Sequence, residues 1–156
     1  MNDEIIKELI LSIDSSARFE RDKNGRFWIK IDLENLKAVL RCLKEKGYDY
    51  ISAITALDNI KNNSIELLYH LMNNSPREFP YLTISITISR DDPKVYTVHD
   101  ILPAALIHES EVFDLMGVKF EGNPLTERLL LPGDVPENVH PLKKEFKDSV
   151  FKVIKE

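Results

Sequence analysis

The stretch HESEVFDLMG, residues 108–117, puts three carboxylates (Glu109, Glu111 and Asp114) among apolar side chains, with no lysine or arginine within a helical turn. Drawn as a helix, Glu109 falls in the middle of an arc formed by Ala105, Leu106, Val112, Phe113 and Met116. Ser110, Glu111 and Asp114 fall on the other side, which reads as a solvated face. Glu109 cannot be explained that way. A buried, unpaired carboxylate costs several kcal/mol, more than most single packing gains. It must find a cation, reach the rim of the helix, or serve in acid–base chemistry. The basic candidates downstream are Arg128, Lys143 and Lys144. Arg128 is preferred, because a guanidinium can grip a carboxylate with two parallel bonds.

Other chemistries find little to build on. The four histidines, His70, His99, His108 and His140, form neither H-x-x-x-H nor H-E-x-x-H, so no metal site is predicted. Phosphate-cradling and nucleophile-elbow motifs are absent, and only five glycines are available to make such loops. The single cysteine, Cys42, can neither form an internal disulfide nor hold an iron–sulfur cluster. It suits a reducing, cytoplasmic compartment. A net charge of −5 argues against nucleic acid, and Phe27, Trp28, Tyr48 and Tyr50 lack an RNA-binding pattern. Lys143, Lys144 and Lys147 form a small basic cluster, either solvated or facing an acidic partner. No apolar run approaches the ~20 residues of a membrane span, and MNDEIIKE does not begin a signal peptide.

The elements that must position these residues follow from periodicity. A helix is predicted over 4–13, capped by Asn2 or Asp3, then a hairpin over 16–31 turning at Gly25. A second helix over 33–46 carries the stripe Leu33, Leu36, Val39, Leu40 and Leu43, capped by Asp32 and ended by Gly47. Strands follow in YDYISAITALD, SIELLYHLM and YLTISITIS. In the last, Leu82, Ile84, Ile86 and Ile88 face inward while Tyr81, Thr83, Ser85 and Thr87 face out. A third helix spans 101–116, with Pro103 in its first turn and Gly117 beyond its end. From 121 onward turn residues dominate, yet LTERLLLP and FKVIK are too apolar for a free tail, so this segment is expected to lie along a surface, its own or a partner's. The predicted class is α+β: an antiparallel sheet with helices packed on one face, in an α+β domain over 1–120, followed by an extended C-terminal segment over 121–156 that docks on a partner subunit.

HDILPAALIHESEVFDLMGVKFEGNPLTERLLLP followed by HPLKKEF resembles the signature of the 30 kDa subunit of complex I, the NADH–quinone oxidoreductase, a module found also in energy-converting membrane-bound [NiFe] hydrogenases. Asp100, Ile101 and Pro103 match its start; Glu109, Glu111, Asp114, Leu115, Gly117, Phe120, Gly122 and Pro124 its centre; Arg128, Leu130, His140, Pro141, Leu142, Lys144 and Phe146 its end. AITALD and ELLYHLM also resemble family segments, so the likeness spans about residues 48–146. Ser110, Met116, Asn123 and Glu127 stand where the family carries arginine, phenylalanine, histidine and arginine. The resemblance implies a structural subunit of the soluble arm, with no catalytic centre or cofactor of its own, supporting electron transfer coupled to ion translocation. Its implied partners are the large catalytic subunit, holding a quinone or nickel–iron site, and a neighbouring iron–sulfur subunit, with the membrane met only indirectly at its cytoplasmic face. Glu109, Glu111, Asp114, Arg128, His140, Lys143 and Lys144 are the expected interface or structural residues. The other reading is a stand-alone α+β binding module or small enzyme.

Overall fold

The computed structural model describes residues 3–73, 81–125 and 127–147. Asn2 and FKVIK, for which a cap and a surface-bound segment are predicted, lie outside them. Among the described residues three α-helices, α1 (Asp3–Ile13), α2 (Leu36–Glu45) and α3 (Ala105–Met116), accompany seven strands: β1 (Arg18–Arg21), β2 (Phe27–Lys30), β3 (Tyr50–Asn59), β4 (Ser64–Met72), β5 (Tyr81–Ser89), β6 (Lys94–Tyr96) and β7 (Lys119–Glu121). The first five strands form one sheet in the order β1-β2-β5-β4-β3, and β6 and β7 form a second, parallel pair. The class is α+β, as expected. Two pairings depart from the antiparallel expectation: β6 pairs in parallel with β7, and within the main sheet β2 runs parallel to β5, with α2 and two further strands intervening between them.

Alternation supplies the core. Ile65, Leu67, Tyr69 and Leu71 of β4 stand opposite Ile88, Ile86, Ile84 and Leu82 of β5, and Phe27 and Ile29 of β2 continue the same face. Ile6 and Ile10 of α1, Val39, Leu40 and Leu43 of α2, and Val112 and Met116 of α3 pack onto it. β3 would fall out of phase without help, since Ile51 and Ile54 are three residues apart. A bulge between Ile51 and Ala53 resets the alternation, so Ile54 and Asp58 also reach the core side.

The other face is less wet than its hydroxyls imply. Thr83 and Ser85 are buried: His70 bridges Thr55 and Thr83, and the Ser85 hydroxyl donates to Glu66. Two details of the second helix also differ. Leu33 is exposed in a short 3-10 turn ahead of α2, and Asp32 makes no capping bond because its carboxylate accepts from the Ser16 hydroxyl at 2.9 Å. α3 begins at Ala105, later than Ile101, since residues 101–104 form the turns that precede it. It ends at Gly117, whose φ of 74° is the left-handed conformation a β-carbon disfavours.

Leu67 lies at the centre of the sheet, fully buried and opposite both Ala56 and Ile86. Leu67→Ala should lower unfolding free energy by about 2–5 kcal/mol, read from urea denaturation.

Candidate functional site

α3 lies between the sheet and the C-terminal segment, and each side of the helix buries one carboxylate. Asp114 is fully buried. One of its oxygens, Oδ2, accepts the backbone N–H groups of Leu129, Leu130 and Leu131 at 3.0, 2.7 and 3.0 Å. The other, Oδ1, meets Arg128 Nη1 at 3.3 Å. Arg128 Nη2 then donates to the carbonyls of Pro136 and Val139 at 2.7 and 3.2 Å. One carboxylate and one guanidinium thus order a run with almost no regular structure. Consecutive amides aimed at one anion supply the backbone partners that a helix or strand would otherwise provide.

Further contacts continue the seam. His140 Nδ1 donates to the Asp114 carbonyl at 3.0 Å, and Leu142 N–H donates to the Leu115 carbonyl at 2.9 Å. The imidazole lies against Gly117 so closely that a β-carbon there would sit 2.6 Å from His140 Cδ2. Burial holds the His140 pKa below its ordinary value, in keeping with a neutral ring. At the far end Asp58 accepts Arg90 Nε at 2.7 Å and the Lys144 N–H at 2.9 Å, and Arg90 also pairs with Glu145. The bonds from Arg90 hold the Asp58 carboxyl below its usual range. Asp58 and Arg90 were not singled out from the sequence; the AITALD match was the one signal pointing at the former.

Glu109 lies on the opposite side of α3, also fully buried. It accepts from Thr97 Oγ1 at 2.5 Å, Val98 N at 2.8 Å and Asn123 Nδ2 at 2.9 Å. Burial pushes its pKa up, with those three donors opposing the rise. The expected Glu109–Arg128 pair is therefore corrected: Arg128 pairs with Asp114, and neutral donors satisfy Glu109. The solvated face assigned to Ser110 and Asp114 is corrected as well, because the C-terminal segment covers it, and Ser110 turns its hydroxyl back to the Leu106 carbonyl at 2.9 Å. Glu111 is exposed. Among the described residues no ion pair reaches the side chains of Glu111, Lys143 or Lys144, and no group of three or more histidine, cysteine, aspartate or glutamate side chains is placed to hold a metal ion. Asp114, Arg128 and His140 come together; Glu109 is apart from them.

Residues 29–151 match the family model described as respiratory-chain NADH dehydrogenase, 30 kDa subunit. The chain belongs to this family. It is 36% identical over 118 residues to the C subunit of the NADH-quinone oxidoreductase of Moorella thermoacetica, covering 75% of this chain and 77% of that protein. It is 26% identical over 152 residues to the beta subunit of the membrane-bound hydrogenase of Pyrococcus furiosus, covering 96% and 87% of the two chains. Among solved structures, a chain of the membrane-bound sulfane sulfur reductase, an archaeal respiratory membrane complex, superimposes with a TM-score of 0.78 at 30% identity, over 98% of this chain and 89% of that one. A trypsin-resistant fragment of Nqo5 shares the fold, with a TM-score of 0.67 at 22% identity, over 78% of this chain and 96% of that one.

Two outcomes follow from the paired carboxylates. Asp114→Ala leaves the Arg128 charge and three amides without their acceptor, so unfolding free energy should fall by about 3–5 kcal/mol, with protease cuts in 125–147 appearing before cuts in the sheet. For Glu109, a folded pKa raised above 4.5 means that the folded chain holds a proton the unfolded chain has released. Its contribution to stability therefore declines as pH rises from about 4.5 through the raised value, and the penalty is complete above it. In urea unfolding from about pH 4 to about pH 8, the stability of the parent chain relative to Glu109→Gln should decline with pH. A flat difference would show that the folded and unfolded pKa coincide, and a rising one that the folded carboxyl is the stronger acid.

Proposed function

We propose that this chain is a non-redox structural subunit of a complex I-type oxidoreductase or energy-converting hydrogenase, holding the catalytic large subunit through its C-terminal segment. The observation that carries this reading is a division of labour within 125–142. Its backbone polar groups turn inward to Asp114, Arg128 and Leu115, while apolar side chains are left outside: Leu129, Leu130 and Leu142 are 47%, 52% and 57% exposed. A segment held rigidly by its backbone presents such side chains at little further entropic cost, which favours a permanent interface. The basic cluster of Lys143, Lys144 and Lys147 flanks the leucines and suits an acidic rim on the partner. Glu111 offers a further exposed charge on α3.

Within such a complex the redox centres lie in other chains, a neighbouring iron–sulfur subunit among them, and this one supplies shape and position. Among the described residues no helix is long and apolar enough to cross a membrane. Attachment to the cytoplasmic face of the membrane would then run through the partner subunits.

The deciding experiment is co-purification of the assembled complex through a tag on this chain. Leu129→Lys combined with Leu130→Lys should reduce recovery of the large subunit by about tenfold, since desolvated interface anchors dominate such contacts. The melting temperature of the isolated chain should be unchanged, because the backbone bonds to Asp114 persist. Full retention of the large subunit would overturn the reading.

A further inference from the structure

A second surface, to which the leucine-bearing segment contributes no lining residue, has the features of a binding groove. Between the turn ahead of α2 and the strand β6 lies a cleft of about 460 Å³. Its apolar lining is Leu33, Leu36, Val95 and Tyr96, of which Leu33 is 38% and Tyr96 67% exposed. Leu33 is the one leucine of the predicted α2 stripe that the core does not use.

Among the described residues β6 has a strand partner on one side only. In its parallel register with β7, the Pro93 carbonyl and the Thr97 N–H point toward β7, as do the polar groups of Val95. Lys94 and Tyr96 therefore direct their backbone N–H and C=O groups away from β7, and both residues line the cleft. Among the described residues no hydrogen bond occupies those outward groups. An edge lysine normally deters strand pairing, but the Lys94 charge is already held by Asp92 at 2.7 Å.

The charged residues lining the cleft differ in how they are paired. Its two lysines both have ion-pair partners within the chain, Lys37 with Asp100 at 2.9 Å, a carboxylate that Arg41 also reaches at 3.5 Å, and Lys94 with Asp92. Its two acids, Glu34 and Glu121, have no ion pair among the described residues. These two carboxylates are the lining charges left for an incoming ligand to pair with, although Glu121 also acts electrostatically on Lys94.

We infer that this groove receives an extended segment of a neighbouring polypeptide, alternating apolar and basic side chains, that adds a strand to the outer edge of β6. Main-chain bonds to Lys94 and Tyr96 supply the pairing, Leu33 and Tyr96 take the apolar side chains, and Glu34 and Glu121 select the basic ones. The groove is thus a docking site separate from the leucine face, and its test does not depend on the large subunit.

The full chain is titrated with a fluorescent peptide alternating valine and lysine over about eight residues, and with its valine–glutamate counterpart. The lysine peptide should bind at least about tenfold more tightly and slow amide exchange at Lys94 and Tyr96. Glu34→Gln with Glu121→Gln should erase the preference, and Leu33→Asp should weaken binding of the lysine peptide. Equal affinities, no binding, or slowed exchange along β1 or β3 instead of β6 would each overturn the proposal. A dimer of the chain that Leu33→Asp dissolves would assign the groove to a second copy and overturn it too.

Discussion

One carboxylate decides the course of the segment that follows β7. Residues 125–147 contain no helix or strand among those described, so their backbone donors and acceptors need individual partners. Asp114 satisfies three amides with a single oxygen and faces the arginine that satisfies two carbonyls further along. The arrangement works because charge-assisted bonds to backbone N–H groups are about twice as strong as neutral ones, and because the site is dry. His140, Leu142, Lys144 and Glu145 then only need to follow the course already set along α3 and toward the end of β3.

The two buried acids of α3 solve similar problems by different means. Asp114 is matched by a cation and orders the segment. Glu109 is matched only by neutral donors, from the exit of β6 and from the turn after β7, and so ties the small parallel sheet to the helix. Loss of the first would release the outer layer, while loss of the second would loosen the small sheet. Asn123, where the resemblance implies a histidine, contacts Glu109 directly. The substitution therefore lies within the polar network that the buried carboxylate organises.

Family membership and local structure both direct attention to the surfaces that the C-terminal segment and the small parallel sheet present. The described residues assemble no nucleophile–base pair at the seam: His140 is turned to a carbonyl, and Asp114 is consumed by backbone. What remains outward is apolar along Leu129, Leu130 and Leu142, and, among the described residues, an unpaired strand edge along β6. Two such surfaces on one small domain suit a part held between neighbours.

The sequence by itself determined the class, the helices, the main strands and the end of α3. These follow from short-range rules: period-two alternation in YLTISITIS, the leucine stripe of α2, and a glycine where φ must be positive. It also marked Glu109 as buried, since its neighbours on the helix are apolar. Partner choice was not legible. Whether Asp114 faced water or protein depended on a segment more than ten residues downstream folding back over it, and periodicity within the helix carries no record of that return. The parallel β2–β5 pairing and the β6–β7 sheet were hidden for the same reason, as each joins strands far apart in the chain. Only the tertiary structure could say which carboxylate Arg128 would meet, because hydrogen-bond geometry acts over a few ångströms of space and is blind to separation along the chain.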